Sequence, residues 1–482
     1  PFHFGQRMDA SVHNRARLLE RIAASDPAVA EAFELGGDVR LATDVWGLFA
    51  NGAGTHCLPG RLAGLCENGR SSLIGFDQVI VAAGRRDLGF GFPQWELPGV
   101  MGVTAAHLLV NRYGAFNGSR LVILGSGAEA LSFAELALAR GIRITAVIEV
   151  APALRGSETI ARRLAEEGVP LLTSTAPVAV EKGMNGEVRG LRIAAIDNDL
   201  KPVPGSEKFI ACDTVCLGIG IVPNVEALDV LGCDLSYRSE LGGHVPVLDA
   251  SFRTTLDFAY AVGDCAGSFA AKSLDPRIAQ TEGRIAALAV ALTLGTLDQA
   301  EYEKRRAAIG PLATGATDTT AYQMSWLRAL ATAGGDATLV CQCEAVTRGD
   351  LLGVRPPRYL DCRLPRITGR NLETLAGDGP VNQDQVKRLT RAGMGACQGR
   401  RCREQVAMLL ADASGTELAR MPLARYRPPL RPIPLDVLGD IPEHPQMIEH
   451  WDLWYAIAGQ WTPAWHSEPP EDAGNGVTVH GK

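Results

Sequence analysis

The chain has 482 residues, 46% hydrophobic and 21% charged, with a formal net charge of −7. That is an ordinary soluble composition with room for roughly two to four domains. Its mild acidity gives no reason to expect nucleic acid or an anionic membrane as partner. No apolar run is long enough to predict a transmembrane segment, and no secretory segment stands out. The eleven cysteines, an odd number, sit in strand-like or cluster-like contexts. This fits a reducing cytosol better than a disulfide framework.

The sequence opens PFHFGQRMDASVHNR, without a first β-strand, and reads as though it begins partway into a domain. Leu18, Leu19, Ile22 and Ala23 at helical spacing predict a helix over 11–35. Short strand-like runs follow, and Gly52-Ala53-Gly54 between two of them reads as a hairpin turn, not a phosphate loop. Asp77 to Ala83 predicts a strand covered on both faces, ending at Ala83–Gly84.

Residues 119–150 predict a βαβ unit. Arg120–Leu124 is a strand, Gly125-Ser126-Gly127-Ala128-Glu129-Ala130 a tight glycine turn, Leu131 to Arg140 a helix, and Ile142 to Val150 a second strand. Gly125 suits the tight turn, and Gly127 lets backbone approach a pyrophosphate. Ala130 permits close helix–strand contact, and Glu149 is placed to bond a ribose hydroxyl. The alternative is a retained fold whose nucleotide site is empty or repurposed.

TVCLGIGIVPN predicts one strand. Phe258 to Val262 predicts another that delivers Gly263–Asp264 at its end, before an alanine-rich helix from Ala279 to Leu294. Asp264 would accept from a ribityl hydroxyl, and Gln280, Glu282 and Gly283 would open a helix aimed at the flavin. The plainer reading of Asp264 is a cap or turn aspartate. Residues 301–336 read as a helical connector, and 420–445, rich in Pro and Arg, as an extended linker or wrapping arm.

The most telling residues come late. Cys341 and Cys343 in VCQCEAVTRGDL, with Cys397 and Cys402 in MGACQGRRC, provide four soft thiolates, the usual number for one [2Fe–2S] cluster. A zinc site, for which C-x-C is tight, and unrelated buried cysteines are the alternatives. Cys57, Cys66, Cys212, Cys216, Cys233 and Cys265 read as core residues. The absence of a C-x-x-C near Cys265 argues against a dithiol redox centre.

VIVAAG, GSGAEA, CLGIGIVPN and YAVGDCAG occur in the order seen in two-dinucleotide-domain flavoproteins of the glutathione/thioredoxin reductase type. With CQCEAVTRGDL and QVKRLTRAGMGACQGRRC added, the chain resembles the α subunit of heteromeric opine, proline or hydroxyproline dehydrogenases. It is equally similar to the middle subunit of bacterial hydrogen cyanide synthase. The likeness spans about residues 10–435, and its last motif is close to a bacterioferritin-associated-ferredoxin-like domain.

The resemblance implies an α/β fold: two Rossmann-like dinucleotide-binding domains plus a small C-terminal α-rich iron–sulfur domain. The FAD-binding part is expected over 1–115 and 243–300, and a second dinucleotide domain over 116–242. The connector then spans 301–336, the [2Fe–2S] domain 337–412, and an arm and Trp-rich tail 413–482. FAD would lie by Ala83, Gly84, Gly263 and Asp264, and NAD or ATP in the second domain. Cys341, Cys343, Cys397 and Cys402 would be cluster ligands.

The resemblance also implies partners. A D-amino-acid-oxidase-like flavoprotein β subunit would oxidise a substrate C–N bond, with a small iron–sulfur γ subunit beside it. The assembly would be a cytoplasmic hetero-oligomer, peripheral at the inner membrane through its partners. This sequence departs from the pattern in three respects. The N-terminal FAD fingerprint and its ribose-binding Glu are not in it. The stretch between Cys343 and Cys397 is long and carries Cys362. The tail holds Trp451, Trp454, Trp461 and Trp465, either an intersubunit anchor or self-packing. A self-sufficient NAD(P)H-dependent reductase and a non-catalytic scaffold subunit are the rival functions.

Overall fold

The computed structural model describes residues 20, 27–52, 58–312, 314–315, 317–357, 359, 369–439, 443 and 445–449. Its centre is a five-stranded parallel sheet, in the order Val100–Gly102, Thr214–Leu217, Arg120–Leu124, Arg143–Ile148, Leu171–Leu172. Leu121, Val122, Ile123 and Leu124 are all completely buried, as an unbroken apolar strand requires when both sheet faces are covered. Side chains alternate across the sheet. Leu121 and Ile123 meet Ala130, Phe133, Ala134 and Ala137 of helix α1 (Ala128–Ala139). Val122 and Leu124 face an antiparallel sheet of Thr175–Lys182, Val188–Ala195 and Lys208–Ala211.

The expected single strand over TVCLGIGIVPN is two strands. Thr214–Leu217 belongs to the parallel sheet, whereas Ile221–Pro223 pairs antiparallel with Arg85–Asp87. The break falls at Gly218 because the chain there passes against α1. A Cβ on Gly218 would lie 2.7 Å from Ala130 Cβ and 2.9 Å from Val103 Cγ2.

Before this unit, Val79–Val81 pairs in parallel with Ala259–Ala261. Strands Asp44–Asn51, Gly60–Glu67 and Arg70–Gly75 form an antiparallel sheet beside them. Asn51 opposes Gly60, so Gly52 leads into a hairpin connection. Residues 53–57, including Cys57, lie outside the described residues. Of the helix expected over 11–35, Pro27–Glu34 is described as helical.

The alanine-rich helix α2 spans Pro276–Thr293 and starts earlier than expected, because Asp275 caps it and Pro276 stands in its first turn. Gln280, Glu282 and Gly283 therefore lie inside α2, not at its start. The connector comprises helices Gln299–Ile309 and α3 (Thr320–Gly334). The cysteine region adds a hairpin of Leu339–Cys341 with Val346–Thr347, and helix α4 (Arg403–Ser414). Trp326 of α3, Val340, Leu410 of α4 and Val122 of the central sheet share one hydrophobic core.

The segment after α4 runs back across the molecule. The Leu430 N–H donates to Trp46 O at 2.7 Å, and the Tyr426 N–H to Asp229 at 3.0 Å. Cys362 and the four tail tryptophans fall outside the described residues. No helix among the described residues is long and apolar enough to cross a membrane.

Gly218→Ala should lower stability by roughly 1–3 kcal/mol through overpacking against Ala130. A thermal melt of the purified chain checks this, and an unchanged midpoint would show that α1 yields at no cost.

Candidate functional site

The parallel strands Val79–Val81 and Ala259–Ala261 run side by side, so the turns after them meet at one sheet edge. In open α/β sheets, ligands bind beyond the carboxyl ends of such strands. Gly84 (φ +71°) and Gly263 (φ +70°) both need the left-handed region, which a side chain would disfavour. Asn224 holds the first turn, donating from its side chain to Ala83 O at 2.9 Å and from its backbone to Gly84 O at 3.0 Å.

The second turn rests on a buried ion pair that no motif in the sequence announces. Lys272 and Glu282 meet at 2.6 Å with side chains only 3% and 5% exposed. Glu282 accepts the Gly263 N–H at 2.8 Å, and Lys272 donates to Gly263 O at 3.2 Å and Gly267 O at 2.7 Å. Both backbone groups of Gly263 are thus fixed, and Asp264 is held out beside them. Ser268 Oγ donates to one Asp264 oxygen at 2.9 Å, and Arg85 Nε stands 3.7 Å from the other. A cavity of about 690 Å³ lies along this edge, lined by Val79, Val81, Ala83, Arg86 and Asn224 among others. Of the four residues expected at a flavin, Ala83 lines this cavity, whereas Gly84, Gly263 and Asp264 belong to the adjoining turns and are not part of its lining. Cys265 does not face this space: it is completely buried, donates to Val81 O and Val262 O, and burial raises its thiol to about 11.

The second glycine turn has the expected backbone. Gly125 (φ +97°) approaches so closely that a Cβ would lie 2.5 Å from Gly218 O. Gly127 precedes α1 with no side-chain cap, and Ala130 is fully buried against Gly218. A cavity of about 390 Å³ opens there, lined by Gly127, Glu129, Ser268, Ala270 and Tyr322 among others.

Glu149 differs from expectation. It is completely buried, and its carboxylate is committed within the protein. It accepts from Ser126 N at 3.0 Å, Ser126 Oγ at 2.6 Å, Ala151 N at 2.9 Å and the Tyr322 hydroxyl at 2.9 Å. Tyr322 comes from α3, and the Arg155 guanidinium stacks 4.4 Å over its ring. No motif in the sequence marks Tyr322.

The four cysteines converge. Cys341 ends its strand, Cys343 lies two residues on, Cys397 lies in the loop preceding α4, and Cys402 caps α4. Cys341, Cys397 and Cys402 are buried and Cys343 is exposed. The thiols associate in two pairs, Cys341 with Cys402 and Cys343 with Cys397. The hydrogen bond from Cys343 pulls the Cys397 thiol down to about 6, and that from Cys402 lowers Cys341; the donating thiols are correspondingly raised.

The loops are tight around them. A Cβ on Gly395 would lie 2.3 Å from Cys343 Cβ, and the Gly393 N–H donates to Cys341 Sγ at 3.4 Å. Among the described residues, no group of three or more His, Cys, Asp or Glu is arranged to hold a metal ion.

Arg85 and Arg86 tie these regions together. Arg85 reaches Asp264, as above, and Glu129 at 3.7 Å, and bonds Ser268 and Ser273. Arg86 pairs with Glu226 at 2.7 Å and with Glu404 of α4, and also reaches Asn224 at 2.9 Å and Tyr426 at 3.3 Å. Burial works against the Arg86 charge, but Glu404 and Glu226 outweigh it and hold the guanidinium above its ordinary range. Beyond it, a mainly apolar cavity of about 300 Å³ is lined by Leu88, Trp95, Met101, Leu217, Cys397 and Arg401 among others.

Two glycine-edged nucleotide folds joined through the Arg85–Asp87 strand define a class of redox protein, and residues 10–293 match the family described as Pyridine nucleotide-disulphide oxidoreductase. The chain belongs to that family, which supports FAD as a cofactor. Residues 365–440 match the Sarcosine oxidase A3 domain.

Among relatives, an opine oxidase subunit from Agrobacterium tumefaciens (strain Ach5) is 27% identical over 398 residues, covering 79% of this chain and 73% of its own. Hydrogen cyanide synthase subunit HcnB of Pseudomonas aeruginosa is 26% identical, covering 79% of this chain and 80% of its own. The structure of L-proline dehydrogenase from P. horikoshii superimposes with a TM-score of 0.56 at 18% identity, covering 86% of this chain and 69% of that one, and shows a shared fold.

Lys272→Met leaves Glu282 buried without its cation. It should cost about 3–5 kcal/mol of stability and reduce the flavin retained on purification. Denaturant unfolding and extracted-flavin content check this; unaltered values for both would remove the pair from any role in holding Gly263.

Proposed function

We propose that this chain is the electron-transferring flavin and iron–sulfur subunit of a heteromeric amine or amino-acid dehydrogenase. The observation that carries this reading is the convergence of Cys341, Cys343, Cys397 and Cys402 on loops that Arg86 links, through Asn224, to the flavin-side turn at Gly84. The likeness to relatives named as subunits, those of opine oxidase and of hydrogen cyanide synthase, supports it.

In this reading, a D-amino-acid-oxidase-like flavoprotein β subunit oxidises the substrate C–N bond, and a small iron–sulfur γ subunit completes the assembly. The substrate classes are opines, proline or hydroxyproline, and glycine. When bound, FAD supplies two-electron and one-electron redox chemistry, and a [2Fe–2S] cluster supplies one-electron transfer. The protein's own part is placement. Asp264 offers carboxylate oxygens to ribityl hydroxyls, the Lys272–Glu282 pair fixes the turn that carries it, and Gly84 leaves room for the ring. The four thiols would take the irons, and the partly buried cations Arg86 and Arg401 would balance the charge that four thiolates bring inside.

Anaerobic purification of the chain with its co-purifying partners should give about two irons, two acid-labile sulfides and one FAD per chain. Cys397→Ser should remove the iron and the cluster's visible absorbance while leaving flavin in place. Zinc instead of iron, or a spectrum indifferent to the substitution, would refute the cluster assignment.

A further inference from the structure

The family to which the chain belongs is named for a pyridine nucleotide, and the second glycine fold is where one would bind. The turn itself is suitable. A Cβ on Gly127 would meet only Glu129, at 3.8 Å, and α1 presents its uncapped N-terminus. The ribose side is not. A carboxylate has about four lone-pair sites, and Glu149 already accepts four hydrogen bonds, three on Oε2 from Ser126 N, Ser126 Oγ and the Tyr322 hydroxyl and one on Oε1 from Ala151 N.

Two of those donors belong to the turn itself, so the Ser126 N–H is also withdrawn from any phosphate. The most distant donor in sequence, Tyr322, is 8% exposed and is fixed by α3, whose residues Trp326, Leu327 and Leu330 are buried in the main core. Arg155 stacks over its ring. A ribose diol reaching Glu149 would have to displace the phenol and open the stack. The cavity that remains is lined by two further carboxylates, Glu129 and Glu240. Glu129 stands 3.7 Å from Arg85 and Glu240 pairs with Arg238. Among the described residues, the cation that lines the cavity, Arg155, is already engaged with Tyr322. This is a poor setting for a pyrophosphate.

We infer that Tyr322 is an intramolecular plug that fills the ribose position of the second dinucleotide fold and closes it to nicotinamide and other adenosine-ribose dinucleotides. Electrons therefore do not enter this chain as hydride from a pyridine nucleotide. The fold is retained as the body on which the flavin-side turns and the cysteine loops are mounted. The plug lies beyond the relay reading, since it concerns a site that the relay does not use and stands whether or not a cluster is bound.

The test is titration calorimetry of the full chain with ADP-ribose and with NADH, which requires no turnover. Wild type should bind both more weakly than about 1 mM. Tyr322→Ala should bind ADP-ribose at least about tenfold more tightly, a gain of about 1.4 kcal/mol. Tyr322→Phe, which keeps the ring in place, should remain as closed as wild type. A wild-type Kd for ADP-ribose in the micromolar range overturns the inference, as does a folded Tyr322→Ala that binds no better than wild type. Should the alanine variant fail to fold, Tyr322→Leu replaces it in the same titration, with the same two readings.

Discussion

The arrangement depends on a partly buried cation. Arg86 stands between Glu226, which opens the short helix Glu226–Leu231, and Glu404 in the first turn of α4. Its neighbours in sequence face elsewhere. Arg85 faces Asp264 and the start of α1. Asp87, buried so that its carboxyl is pushed up, accepts the Thr104 and Ala105 N–H groups at 2.9 and 3.2 Å. Three successive side chains thus fasten the flavin-side turn, the cysteine helix and the short helix Val103–His107, which follows the sheet's edge strand, to one short strand. Exchanging a buried ion pair for apolar residues often costs little stability, whereas leaving one charge unpaired costs several kcal/mol. The contribution of Arg86 is therefore better read as register: any packing of α4 that misses it leaves Glu404 and Glu226 without this cation.

Register matters because the cysteine region has no independent interior. Its apolar residues belong to the same core as the central sheet and α3. The contacts at its edge are backbone contacts with no slack. A Cβ on Gly89 would lie 2.8 Å from Arg401 O, and one on Gly91 would lie 2.5 Å from Leu339 O. The segment that leaves the flavin-side strand therefore passes directly against both cysteine loops. A shared core fixes the separation between the flavin-side turn and the cysteine loops, where a hinged domain would not.

What the sequence makes legible is what is local. GSGAEA can be read because Gly125 requires a positive φ, and Gly127 and Ala130 allow close approach, all within six residues of chain. The strand at Arg120–Leu124 is legible from its unbroken apolar run. The break at Gly218 is not, because it is imposed by Ala130 and Val103, which are remote in sequence. Glu149 lies at the right distance from the turn to face a ribose, but its environment is decided by Tyr322, 173 residues away. The Lys272–Glu282 pair is hidden for a related reason. Glu282 reads as part of a helix start, and only the cap at Asp275 and the fold of 263–272 turn it inward.

The same helix, α3, connects two features that are separate in the sequence. Its first turn carries Tyr322 to the glycine fold, and its later turns bury Trp326 and Leu330 in the core that the cysteine loops share. Filling the ribose position and seating the cysteine region are therefore coupled: α3 cannot withdraw to admit a nucleotide without lifting apolar surface from Val340 and α4. At about 25 cal/mol per Å² of apolar surface re-exposed, moving even two such side chains would offset much of the affinity of an ordinary dinucleotide. The packing that seats the cysteine loops is thus also the packing that holds Tyr322 against Glu149.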